Sequence, residues 1–105
     1  MTTTNHQVII NIHGHEYTSY LHTFNKIPRV KEYLDDGETY INRKEGIYFS
    51  YILDWVSNPI DLRLELPQDK KTLEKIHAEA TWFGLKDFAK HIVEYMKGLG
   101  HNTAM

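Results

Sequence analysis

Tyr40-Ile41-Asn42-Arg43-Lys44-Glu45-Gly46-Ile47-Tyr48-Phe49-Ser50-Tyr51-Ile52-Leu53-Asp54-Trp55-Val56 is the stretch on which the fold turns. It reads as a short strand ending in Asn42-Arg43, then a helix. The apolar residues of that helix, Ile47, Tyr48, Phe49, Tyr51, Ile52, Leu53, Trp55 and Val56, leave almost no polar face. A surface helix carries one apolar stripe, whereas one that is apolar nearly all round is enclosed from several sides. The expectation is a helix at the centre of the core, with Trp55 packed inside.

Outward toward the N-terminus, Glu38 to Asn42 supplies the strand. Before it, Arg29 to Leu34 spans one or two helical turns closed by Asp35-Asp36-Gly37, and Thr23 is placed to cap a shorter turn ahead of Pro28. Val8, Ile10 and Ile12 alternate with Ile9 and Asn11, and Tyr17 and Ser19 alternate with Thr18 and Tyr20. That alternation predicts a hairpin around a tight turn at Gly14. Toward the C-terminus, Ser57-Asn58-Pro59 stops the central helix. Leu62, Leu64 and Leu66 then alternate with Arg63 and Glu65 as a short, half-exposed strand. Asp69 is placed to cap a helix carrying Leu73, Ile76, Ala80 and Phe83 and ended by Gly84. A last helix sets Phe88, Ile92, Val93 and Met96 on one side and stops at Gly98. These elements predict an α+β domain over residues 7–97, a small mixed sheet covered by helices, between a frayed segment at 1–6 and a flexible tail at 98–105.

At 105 residues, 41% hydrophobic and 25% charged, the chain is the size of one domain with an ordinary globular composition. Roughly two-thirds of the unfolded surface can be buried at this size, so a core forms without staples. Cysteine is absent, which excludes a disulfide framework and every Cys-based metal or redox site. No run of about 18 apolar residues predicts a membrane span, and the opening MTTTNHQ lacks the basic and apolar regions of a secretory signal. The location expected is cytoplasmic or nuclear. A formal net charge of -2 without a block of Lys or Arg predicts no nucleic-acid partner, since phosphate neutralisation dominates that affinity.

His13 and His15 are the closest pair among the histidines, but Gly14 turns the chain between them and no third ligand is in view, so no metal or cofactor is expected. Asp54, His77 and Glu79 are the candidates for acid-base work. Their spacing makes no nucleophile-base-orienter set and no phosphate-binding glycine loop accompanies them, so no enzyme is expected. Trp55, Tyr48, Tyr51, Trp82 and Phe83 either pack a core, line a small-ligand pocket or face another subunit.

Several of these stretches resemble the potassium-channel tetramerisation branch of the BTB/POZ family. Tyr40-Ile41-Asn42-Arg43 followed by Tyr48 or Phe49 and by Ile52-Leu53 is similar to its Phe-x-Asp-Arg…Phe…Ile-Leu signature, with Asn42 where Asp is usual. No Arg follows the helix at Leu53 to Ser57, where the family commonly has one. Asn11-Ile12-His13-Gly14-His15-Glu16-Tyr17 resembles the opening Asn-Val-Gly-Gly-x-x-Phe, with His13 in place of the first Gly. Leu66-Pro67, and Ile76, Glu79-Ala80 and Phe83-Gly84-Leu85, resemble the later motifs, so the likeness runs in order from about Val8 to about Tyr95. It implies the BTB/POZ arrangement and a chain that self-associates, as a tetramer or pentamer, and presents other surfaces to partners. Three uses follow: a soluble adaptor, as in cullin ubiquitin-ligase substrate adaptors; the cytoplasmic assembly domain of a voltage-gated potassium channel; or, if the likeness is accidental, a small-ligand-binding protein. Some family members hold zinc between subunits through a His and three Cys, a set this Cys-free chain lacks. Asn42 and Arg43 read either as a helix-start cap with a surface charge or, as the resemblance implies, as a polar contact at a subunit boundary with Tyr40, where Asp35, Asp36 and Glu38 are the nearest carboxylates in sequence to meet Arg43.

Overall fold

The computed structural model describes residues 6–57 and 65–103. Strands β1 (Gln7–Ile12) and β2 (His15–Tyr20) form an antiparallel hairpin, and β3 (Tyr40–Ile41) adds parallel to β1, giving the order β2-β1-β3. Among the described residues five helices accompany this sheet: α1 (Leu21–Phe24), α2 (Pro28–Asp35), α3 (Phe49–Ser57), α4 (Lys70–Trp82) and α5 (Lys86–Gly98). A single 3-10 turn, Gly46–Tyr48, leads into α3. The class is α+β, a small mixed sheet covered by helices, as the hydrophobic periods require. The strand expected at Leu62 and Leu64 lies outside the described residues, and Glu65 to Asp69 has no regular structure.

The hairpin register follows from its turn. Ile12 pairs with His15, so His13 and Gly14 form a two-residue loop, with φ of 50° and 97°. Both central residues need positive φ to match the twist of the strands, and the Asn11 Oδ1 fixes the bend by accepting the Gly14 N–H at 2.7 Å. Val8, Ile10 and Ile12 then face the helices, while Gln7, Ile9 and Asn11 face outward.

Two local expectations change. Thr23 does not cap a helix: β2 runs into α1 without a loop, the cap position falls on Tyr20, and Thr23 is buried inside the turn. The third strand is Tyr40–Ile41 only, shorter than Glu38 to Asn42. By contrast Asp69 does cap α4, its carboxylate accepting the Thr72 N–H at 2.9 Å.

The larger correction concerns α3, of which only Phe49 and Ile52 are buried. Tyr51, Leu53, Trp55 and Val56 are half-buried, and Ile47 just ahead is 59% exposed. Ser50, Asp54 and Ser57 recur at helical spacing and mark the outward stripe, which the apolar count obscured. The centre of the core is one residue of this helix. The Phe49 ring meets Tyr17 of β2 at 4.9 Å, Phe83 after α4 at 5.0 Å and Phe24 of α1 at 6.5 Å. Gly46 lets the chain reach that position, since a Cβ there would collide with the Ile12 carbonyl oxygen.

Candidate functional site

The residues from Asp35 to Arg43 run from the end of α2 through β3. The Glu38 N–H donates to the Tyr33 carbonyl at 2.8 Å, which folds the Asp36-Gly37-Glu38 segment back on α2. Asp35 is taken by Lys31 one turn earlier, at 2.8 Å. Asp36, Glu38, Tyr40 and Asn42 are exposed. The Asn11 N–H donates to the Thr39 carbonyl at 2.8 Å and the His13 N–H to the Ile41 carbonyl at 3.1 Å, so the backbone groups of Tyr40 point to the open edge of the sheet. Asn42 Oδ1 lies 3.0 Å from His13 Nδ1 and ties that edge to the hairpin turn.

Arg43 turns the other way. Its guanidinium makes a two-pronged contact with Glu79 of α4 in the same chain, Nε to Oε1 at 3.1 Å and a terminal nitrogen to Oε2 at 2.5 Å. Within the chain, therefore, Arg43 meets Glu79 and none of Asp35, Asp36 or Glu38. Glu79 is only 2% exposed, and an ionised carboxylate is kept at such a site by a cation. The Arg43 guanidinium also lies 4.5 Å from the centre of the Trp82 ring, over which Arg29 sits at 4.6 Å, and Arg29 Nε donates to the Trp82 carbonyl at 3.1 Å. β3, α2 and α4 are therefore joined by a cluster of charged and aromatic groups with Glu79 at its buried end.

Sequence reading missed this pairing although a signal was present. Glu79 lies three residues after Ile76 and four before Phe83, on the apolar face of its helix, where a carboxylate demands a cation. Of the three catalytic candidates, Glu79 is engaged with Arg43. The His77 carbonyl accepts the Thr81 hydroxyl at 3.0 Å, and Asp54 is on the outward stripe of α3, where partial burial pushes its carboxyl up.

Phe83 packs on Phe49 in the core and Tyr48 and Tyr51 lie against it, while the two tryptophans are in separate places. Trp55 stacks on Phe88 at 4.8 Å and lies 5.2 Å from the His91 ring, beside an open groove of about 260 Å³ that Pro28, Leu85, Lys26 and Lys86 also line. Trp82 belongs to the arginine cluster. Among the described residues no three His, Asp or Glu side chains are grouped to hold a metal ion, and no helix is long and apolar enough to cross a membrane. No protein-family model and no curated protein matches the chain. The chain's own surface carries large exposed apolar side chains at Ile9, Tyr20, Tyr40, Ile47 and Leu99.

On that surface the outer face of the sheet stands apart. Tyr20 of β2 (45% exposed), Ile9 of β1 (54%) and Tyr40 of β3 (52%) share it, because Gln7 pairs with Tyr20, Ile9 with Thr18 and Asn11 with Tyr40.

Proposed function

We propose that this chain is a homo-oligomerisation and protein-interaction module of the BTB/POZ tetramerisation type, working as a soluble adaptor, with a cullin ubiquitin ligase as one class of partner. The carrying observation is the outer sheet face, which places Ile9, Tyr20 and Tyr40 together in solvent beside the open edge of β3. Single exposed apolar side chains are ordinary, but several on one face mark an interaction surface. The order of elements supports the same reading: a hairpin, two short helices, a third strand followed directly by the Asn-Arg pair, and then the helices in and around which the later motifs fall. Arg43 enters it as an internal brace that sets the attitude of the β3 lip, with Tyr40 and Asn42 at the contact itself. Light scattering on the purified chain across a dilution series is the test. The expected mass is that of a tetramer or pentamer, and a strictly monomeric mass at high micromolar concentration rejects the proposal.

A further inference from the structure

We propose that Tyr40 is a phosphorylation site for a protein tyrosine kinase with a basic substrate cleft, and that its phosphate turns off the contact made by the outer sheet face. The second half rests on the self-association proposed above; the first stands without it. Of the seven tyrosines, Tyr17, Tyr33, Tyr48, Tyr51 and Tyr95 are half-buried against the core. The hydroxyls of Tyr17 and Tyr95 are also held by the Gly46 and Leu66 carbonyls, at 2.6 and 3.3 Å. Only Tyr20 and Tyr40 present large exposed rings, 45% and 52% in solvent. Tyr20 stacks on His22 at 6.1 Å where β2 runs straight into α1, and Glu16 is the one acidic residue near it in sequence. The Tyr40 ring has no ring partner and its hydroxyl no hydrogen bond among the described residues. Asp35, Asp36 and Glu38 lead up to it, and the whole run from Asp35 to Tyr40 is exposed. Lys31 takes Asp35, while Asp36 and Glu38 form no ion pair among the described residues.

Kinases choose among substrates by the charge pattern around the acceptor, and two unpaired carboxylates ahead of Tyr40 suit a basic cleft. The segment is also cheap to offer. β3 is extended and two residues long, and the backbone groups of Tyr40 point away from β1, so lifting it opens few hydrogen bonds. In the transfer the Tyr40 Oη attacks the γ-phosphorus of ATP, the bond from that phosphorus to the bridging oxygen breaks, and ADP leaves. The phenolic proton passes to the catalytic carboxylate of the kinase. The product carries about -1.5 to -2 of added charge. Arg43, three residues on, is turned inward to Glu79 and does not clamp the phosphate. Beside Asp36 and Glu38, and on the face that carries Ile9, the new charge acts by repulsion and by its resistance to burial.

The experiment exposes the full chain to an acid-directed tyrosine kinase and Mg-ATP, in an assay where a Glu-Tyr copolymer is phosphorylated. Three forms are compared, wild type, Tyr40→Phe, and Asp36→Lys with Glu38→Lys, each shown by circular dichroism to be folded. Tandem mass spectrometry should place one phosphoryl group on Tyr40 of wild type and none on Tyr40→Phe. The charge reversals should slow the transfer by roughly tenfold or more. A wild type left unmodified, or modified at another tyrosine in place of Tyr40, overturns the site. Reversals that leave the rate unchanged overturn the selection by charge. Sedimentation velocity of the phosphorylated and unmodified chains tests the switch, and phosphorylation should weaken association by about tenfold or more. A phosphorylated chain that assembles like the unmodified one overturns the switch and leaves the site standing. An unmodified chain that is monomeric overturns self-association and the switch with it, while the mass spectrum still decides the site.

Discussion

Arg43 and Glu79 are held by each other, and the asymmetry between them predicts what substitution does. Arg43→Ala leaves a carboxylate that is 2% exposed without its cation, and breaking such a pair costs about 3 kcal/mol. The loss should therefore register first in the fold of the single chain, as a lower denaturant midpoint, and only through that in assembly. Arg43→Met with Glu79→Leu removes both charges and should recover most of the loss, because an apolar pair of similar volume carries no desolvation cost. If Arg43→Ala melts like wild type, the pair is not what holds β3 against α4. Sequence marked Arg43 by its motif and Glu79 by its place on an apolar helix face, but not that the two meet, since 36 residues separate them and no local spacing encodes a contact made by the fold. The cap at Asp69 was legible because its hydrogen bond is local. The Thr72 hydrogen bonds hold the Asp69 carboxyl below its ordinary value, with His101 adding a small attraction. A carboxylate with a depressed folded value contributes stability above its unfolded pKa of about 3.9 and loses it as pH falls through the folded value. Asp69→Asn, which still caps, should therefore show a shallower loss of melting temperature below about pH 4 than wild type.

α3 shows how far a helix can be read from its apolar count. The helix was legible, and so was its link to the core, but the extent of burial was not, and the stop expected at Asn58-Pro59 lies outside the described residues. Nine residues between α1 and α4 have neighbours on two sides, so the remaining side meets solvent through Ser50, Asp54 and Ser57. Phe49 and Trp55 thereby exchange the importance that residue size alone would give them. Phe49→Ala removes a ring in contact with Tyr17, Phe24 and Phe83 and should cost about 3–5 kcal/mol, enough to threaten the domain. Trp55 is half-buried and stacked chiefly on Phe88, so Trp55→Ala should cost roughly 2 kcal/mol and leave a folded protein. Denaturant midpoints of the two variants check the order. A larger loss for Trp55→Ala would place the centre of the core along α3 instead of at its first residue.

The whole domain exposes a sheet face too small to make a stable assembly alone. Two strands of six residues and one of two, at about 3.4 Å per residue and about 4.8 Å between strands, give a footprint of roughly 230 Å², against about 800 Å² per partner in a standard interface. An assembly that uses this face must add the β3 lip and a surface from elsewhere on the neighbour. Association of that kind stabilises the native state by mass action, so the melting temperature of wild type should rise with protein concentration. Ile9→Ser with Tyr40→Ser tests the link between face and assembly. Both side chains are more than half exposed, so each change should alter the stability of the isolated chain by no more than about 0.5 kcal/mol. At low concentration the variant and wild type should melt together, and at high concentration only wild type should gain. A wild type whose melting temperature does not move over a hundredfold dilution series, starting from high micromolar, would mean that this face has no second copy to meet. A variant that gains as much as wild type would place the contact away from the sheet.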